Sequence, residues 1–390
     1  MKPRVAIRRC TADATSDEVR GHLAGLFADL GGLSALLGRA RKIMVKPNIG
    51  TDDVRTHLGH QVALTDPRVL RGTVAAIRAV SDAEIVIGEA TTGSRCHDIY
   101  ARIGHELSDL AVRVVDLKDG PFTTFPLPQG LMFDRYVMSR EFVDVDAVVS
   151  IAKMKSHVST GATLCLKNLF GMTPTVPYGS PRRYLHAPVR LPRVLVDIAT
   201  LFPPVLSVID GIVGQDGQEW HGTPNTPSVL VAGTNVVATD AVGMRLMGMD
   251  PTADYGVFPY HFDRNPLALA GGIDLGPVEI DSIEVTGNVP LTAQARFTVN
   301  RALSEETVRI QHDVGRQIEW FRGNRSDLLR RHAGQFVAIA DGEVIARADS
   351  VDALGSRGAM GRRERSSGIL IKQVVPAEAD AERLAVYAAL

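Results

Sequence analysis

The densest run of chemically useful side chains is AVVSIAKMKSHVSTGATLCLKNLFGM, from Ala147 to Met172. Its apolar start reads as a buried strand. If the chain stays extended past Ile151, then Lys153, Lys155 and His157 point to one side, because strand side chains alternate with a period of two. Ser159 or Thr160 is placed to cap a following helix, and Gly161 leaves that helix's first amides open to an anion. Lys167 shares the helical face of Thr160 and Thr163 and leans towards the helix start. With its neighbour Asn168 it completes a candidate site for a phosphate or carboxylate. Lys153, Lys155 and Lys167 would neutralise the anion, and His157 would act as general acid or base. Adjacent ammonium groups lower an imidazole from its ordinary pKa of about 6.5 and keep it neutral and basic. The plain alternative for these lysines is a solvated surface.

Three further segments carry polar residues where strands end. IMVKPNIG places Lys46 and Asn48 directly after an apolar run, and Glu89 follows another. Ligands of parallel α/β sheets bind beyond the carboxyl ends of the strands, so these residues and the Lys153 loop are expected in one crevice. Asp210 ends a third run before a Gly-rich loop, and Asp240 lies just inside a helix start, where it also suits the helix dipole. These carboxylates are read as supporting groups. His186 and His221 offer nitrogen to a metal only through long-range convergence, because no His-x-His or His-x-x-x-His spacing is present. Metal and cofactor therefore stay unassigned. No G-x-G-x-x-G, G-x-x-x-x-G-K-[ST] or G-x-S-x-G motif occurs, which removes the common nucleotide and esterase readings.

Composition narrows the partners. The chain has 43 basic and 44 acidic side chains in 390 residues. It thus has no global positive field to draw it onto nucleic acid. Cys10, Cys96 and Cys165 are scattered and odd in number, so neither a disulfide framework nor an intrinsic iron–sulfur cluster is expected. Arg8 and Arg9 are followed by polar residues rather than an export signal's apolar core. No apolar stretch is long enough to span a membrane. A cytoplasmic location is expected, with a small anionic metabolite as partner; the oligomeric state is left open.

The elements that must hold these residues are short apolar runs alternating with helical periodicity. The runs are Ile43–Val45, Glu84–Ile87, Val112–Val115, Ala147–Ile151, Val205–Ile209 and Val229–Val231. This alternation predicts an α/β fold, a mostly parallel sheet covered by helices. Between the first two runs, Asp66 caps a helix with Pro67 at its first position and an apolar stripe of Val69, Leu70, Val74, Ile77 and Val80. Thr173–Pro192 and Gly211–Thr226 read as long functional loops. A helix carrying Val237, Ala241, Met244 and Leu246 comes next, then a strand near Ser282–Thr286. The α/β domain is expected over residues 1–290 and a charged helical connector over 291–331. A small C-terminal α+β appendage is expected over 332–390, with strands at Gln335–Ala340, Glu343–Ala348 and Gly368–Val374 and a flexible Gly/Arg/Ser stretch before the last.

Taken together, the motifs resemble the family called domain of unknown function 362. They are KPN at Lys46–Asn48, TDP at Thr65–Pro67, IGEA at Ile87–Ala90, IAKMKSH at Ile151–His157 and TGATLCLKNLFG at Thr160–Gly171. VIDGIVG at Val208–Gly214 and TDAVGMRLMGMDP at Thr239–Pro251 complete the set, in order across about residues 40 to 290. The biochemical role of that family is largely unassigned, so the resemblance implies no specific reaction. Many relatives carry ferredoxin-like cysteine clusters, which imply redox chemistry; this sequence has none. Its Gln215–His221 loop also departs from the smaller Gly/Pro-rich version. At motif level, the His157-to-Lys167 arrangement is similar to the nickel-pincer lactate racemase group, where a strand leads to a His, small residues and a Lys on a helix. The C-terminal appendage resembles add-on units of other uncharacterised bacterial proteins. Three functional readings stand: an acid–base enzyme acting on a small anionic metabolite, a non-catalytic binding or accessory protein for a phosphorylated cofactor, and a metal- or cofactor-assisted oxidoreductase or racemase.

Overall fold

The computed structural model describes residues 2–104, 106–179, 182–356 and 368–376. At its centre eight strands form the continuous path of one ten-stranded sheet: β1 (Arg4–Arg9), β2 (Lys42–Pro47), β3 (Glu84–Glu89), β4 (Val112–Asp116), β5 (Ala147–His157), β6 (Pro204–Asp216), β7 (Val229–Gly233) and β8 (Glu284–Gly287). Their spatial order is β8-β1-β7-β6-β5-β2-β3-β4. Every neighbouring pair is parallel except β1 with β7 and β7 with β6. This is the mostly parallel α/β sheet that the apolar runs call for. β5 lies near the middle, between β2 and β6, and all eleven of its residues are buried. Such burial on both faces is why it reads as a continuous apolar run.

Local signals fix several connections as expected. Asp66 caps the helix Pro67–Arg78, accepting a hydrogen bond from Arg68 N, and the helix buries Val69, Leu70, Val74 and Ile77. Asn235 caps Val236–Leu246 in the same way. β1 and the helix Ser16–Asp29 went unnoticed in the sequence. In β1 the apolar Val5, Ala6 and Ile7 are flanked by arginines, so it shows no long apolar run. The helix is opened by a capping box between Thr15 and Glu18.

Both long loops turn out to be more ordered than expected. The Thr173–Pro192 region contains the helical turn Arg183–His186 and the first residues of the helix Arg190–Leu201, while Ser180 and Pro181 lie outside the described residues. β6 runs on to Asp216 and pairs with a short strand, Thr223–Asn225, which shortens the second loop to residues 217–222. Pro and Gly density signalled loops here, but tertiary pairing overrode it.

Beyond the sheet, the long helix Arg301–Gly323 is followed by Arg325–His332. Three strands then form a second sheet: β9 (Phe336–Ala340), β10 (Glu343–Ala348) and β11 (Leu370–Gln373), in the order β10-β9-β11. The Gly/Arg/Ser stretch expected to be flexible lies largely outside the described residues, as does everything after residue 376. Alternation along β9 sends Val337 and Ile339 into the main core and Phe336, Ala338 and Ala340 into a separate small core. Val314, Ile318 and Phe321 of the long helix join the main core, so one face of that charged helix is not solvated. Among the described residues no helix is long and apolar enough to cross a membrane.

Candidate functional site

A cavity of about 370 Å³ opens at the carboxyl ends of β2, β3 and β5. Its lining includes five cationic side chains, Lys46, Lys155, Lys167, Arg182 and Arg183, and two carboxylates, Glu89 and Glu219. Two of the cations belong to a closed polar floor. Lys46 Nζ donates to Glu89 Oε2 at 2.7 Å, to Pro47 O at 2.7 Å and to Asn168 Oδ1 at 3.1 Å. Asn168 Nδ2 returns a bond to Lys46 O, and Asn48 Nδ2 donates to Asn168 Oδ1. Burial pushes the Lys46 ammonium down, and Glu89 opposes the shift. Arg182 donates to Ala90 O and Thr173 O, and burial lowers it to about 10. Gly171 lets the Leu169–Met172 turn close on this floor, since a Cβ there would overlap Glu89 Oε1.

Lys155 and Lys167 differ from those cations. Neither ammonium has a hydrogen-bond or ion-pair partner among the described residues; Lys167 Nζ only lies 4.8 Å over the Phe170 ring. Burial is the main cause that lowers Lys155 to about 8 and Lys167 to about 7. For Lys167, Arg182 and Lys155 add to the fall while Glu219 opposes it. Lys155 is buried and Lys167 half-buried, and both side chains line the cavity. The cavity thus holds two ammoniums that no protein group pairs among the described residues.

His157 is fixed by its own loop. Its Nδ1 accepts from Ser159 N at 3.1 Å and from Thr160 N at 3.2 Å, so the neutral ring carries its proton on Nε2. That nitrogen faces Glu219 Oε1 at 3.6 Å. Burial, then Lys167, His186 and Lys155, hold the imidazolium well below its usual range. His157 therefore presents a donor to the cavity. It is not the ready proton acceptor expected from the sequence, because the nitrogen free to accept is already occupied by two amides. Burial raises the Glu219 carboxyl, which also accepts from Val158 N. His186, read from sequence as a distant metal ligand, stacks beside His157 with ring centroids 6.4 Å apart.

Several expectations fail on geometry. Lys153 does not join Lys155 and His157 in the cavity. It is fully buried in an ion pair with Asp210, Nζ to Oδ2 2.9 Å, and Asp210 also accepts from Asp66 N. Lys153 sits opposite Asp210, but Lys155 sits opposite Gln215, so two residues of β5 face five of β6. The bulge breaks the simple alternation and separates Lys153 and Asp210 from Glu89 and the other cavity residues. Ser159, Thr160 and Gly161 do not open a helix. Gly161–Thr163 is a strand folded back on β5, and the helical turn begins only at Cys165. Its first amides are taken, since Asp240 accepts from Cys165 N and Leu166 N. Burial lifts Asp240 to about 7. Asp240 is thus a cap within the fold, and the helix-start anion site does not form. His221 is exposed beside Asp53 rather than near Asp210 or Asp240. Among the described residues no three His, Cys, Asp or Glu side chains come together as a metal site.

Trp220, in the Gly211–Thr226 loop read as functional, lines the cavity, and so, without having been singled out, do Arg182, Glu219 and the stripe Thr307, Ile310, Gln311 and Val314. The last four recur at helical spacing, which was the legible signal. Gln311 Nε2 donates to Ser159 Oγ and Ser304 Oγ to Val158 O, which ties the long helix to the His157 loop.

Residues 43–245, just over half of the chain, match the family described as Domain of unknown function (DUF362). The chain belongs to this family. The match contains Lys46, Glu89, Lys155, His157, Lys167 and Glu219, whereas the long helix over the cavity lies beyond it. A thylakoid-associated protein of Synechocystis sp. is 27% identical over 237 residues, which are 59% of this chain and 70% of that relative. A protein from Thermotoga maritima is 17% identical with a TM-score of 0.33, and the lactate racemase apoprotein from Thermoanaerobacterium thermosaccharolyticum is 14% identical with a TM-score of 0.38. These structures cover 53% and 54% of the chain, and the chain spans about half the length of each, 52% and 51%.

Proposed function

We propose that this member of the domain of unknown function 362 family is an enzyme that binds a small organic anion on Lys155 and Lys167 and moves a proton to or from it. The observation that carries the reading is the pair of ammonium groups without partners in a cavity where the other buried cations are engaged. A carboxylate or phosphate would supply the missing partner through charge-assisted hydrogen bonds. His157 contributes as a hydrogen-bond donor from Nε2, polarising an oxygen of the ligand. Lys167 serves as the proton-transfer group in complexes where Lys155 alone holds the anion, since its ligand-free pKa of about 7 leaves a neutral fraction near neutrality. Glu219 orients the imidazole and balances the charge.

The test is calorimetric titration with phosphate and with simple carboxylates on the purified protein and on Lys155→Met and Lys167→Met. Each substitution is expected to weaken binding by about 1.5–3 kcal/mol, the worth of a charge-assisted hydrogen bond. Equal affinities in all three proteins would refute the anion site. Proton transfer is tested separately, by deuterium uptake into bound organic acids in heavy water. His157→Ala and Lys167→Met should each slow uptake roughly 100-fold. Tight binding with no exchange in any acid would leave a binding protein.

A further inference from the structure

The wall contributed by the C-terminal third of the chain is chemically unlike the floor. Thr307, Ile310, Gln311 and Val314 stand at i, i+3, i+4 and i+7 on the long helix, a single stripe that faces the cavity. The polar group of Gln311 is engaged with Ser159, so half-buried Ile310, with the edge of Val314 that otherwise packs in the main core, is the stripe's apolar contact surface. Trp220, 40% exposed, adds an apolar plate among the lining groups. The Phe170 ring is less available, with Lys167 at 4.8 Å and Arg182 at 4.9 Å from its centre.

Size argues in the same direction. At about 30 Å³ per water in the liquid, the cavity's roughly 370 Å³ holds about a dozen waters, far more than a bare inorganic anion displaces. An inorganic ligand would fill only the cationic end and leave Ile310 facing water. An organic ligand with an apolar portion would cover Ile310 and gain the burial.

We infer that the ligand is an amphipathic organic acid, whose anionic head lies on Lys155 and Lys167 and whose apolar portion lies under Ile310 and Val314 of the long helix. This rests on the anion reading above and adds the chemical class. It also gives the long helix a role: it selects for the apolar part of the ligand, while the family segment supplies the head-group site.

The experiment titrates the full chain with acetate, butyrate, hexanoate and octanoate, and repeats the series on Ile310→Asn and on the Lys155→Met/Lys167→Met double variant, with melting temperatures to check folding. In the unmodified protein affinity should rise about fourfold per added methylene until the cavity is full. Ile310→Asn should lower octanoate affinity about tenfold and flatten the trend. If all four acids bind alike in the unmodified protein and need the two lysines, the amphipathic class is wrong and the anion site stands. If affinity climbs with chain length just as steeply and just as tightly without the lysines, the anion reading is wrong. Failure of all four to bind overturns both. The chain-length trend in the unmodified protein decides the matter even if Ile310→Asn does not fold.

Discussion

Anion binding should fall steeply with pH between 6 and 9, a range in which exposed lysines do not titrate. The perturbation is pH alone, and the ligand should be a carboxylate such as hexanoate, which stays ionised throughout, rather than phosphate, which does not. Burial sets Lys155 to about 8 and Lys167 to about 7. The fraction of protein with both ammoniums charged is then about 0.9 at pH 6 and about 0.001 at pH 9, and apparent affinity follows that fraction. If both charges are required, affinity falls about 1000-fold; if Lys167 alone is required, about 100-fold. Glu219, raised by burial, repels an anion wherever it is ionised and so does not reverse the sign. Arg182, held near 10, stays charged, and His157 stays neutral, so neither reverses the sign. Calorimetry across the range measures the slope, and Lys155→Met should reduce it. Affinity that is flat to pH 9 would refute the desolvation argument and place both ammoniums in ordinary solvent.

Three further outcomes are expected. Lys167→Met should stabilise the ligand-free protein. The folded pKa lies below the unfolded value of about 10.4, so the cost of the buried charge is full below pH 7 and disappears as pH rises towards 10.4; melting curves at pH 6.5 and 9.5 should show the gain shrinking. Lys46→Met should cost about 3–5 kcal/mol, because Glu89 is left as a buried unpaired carboxylate, and a Lys46→Met/Glu89→Leu double variant should recover much of it in urea denaturation. Gly171→Ala should lower the melting temperature and weaken anion binding together, since its methyl would displace Glu89 from Lys46; an unchanged Lys46–Glu89 floor and unchanged affinity would contradict that close approach.

What the sequence determined by itself was governed by local periodicity and local polar chemistry. Apolar runs ending in Lys46, Glu89 and Asp210 specified parallel strands and their carboxyl ends, and Asp66 before Pro67 specified a helix start, because each needs only neighbours in the chain. The clustering of lysines around His157 was legible in the same way. What only the tertiary structure decided was which of those lysines are free. Lys153 and Lys155 are two residues apart and look equivalent. A bulge between β5 and β6 delivers Lys153 to the carboxylate of Asp210, 57 positions away, and leaves Lys155 with none. The same holds for the helix start: Thr160 and Gly161 carry a good local signal. Pairing back onto β5 outweighed it, and Asp240 from a distant helix took the amides. The proton position on His157 depended on two backbone amides whose direction follows from that turn. The long helix that walls the cavity reads as solvated from its charges; its buried face is fixed by the core it meets and the loop it ties down. Pairing, bulges and burial depend on groups brought together by the whole chain. The identity of the residues was therefore written locally, while their charge state and freedom to bind were set by tertiary contacts.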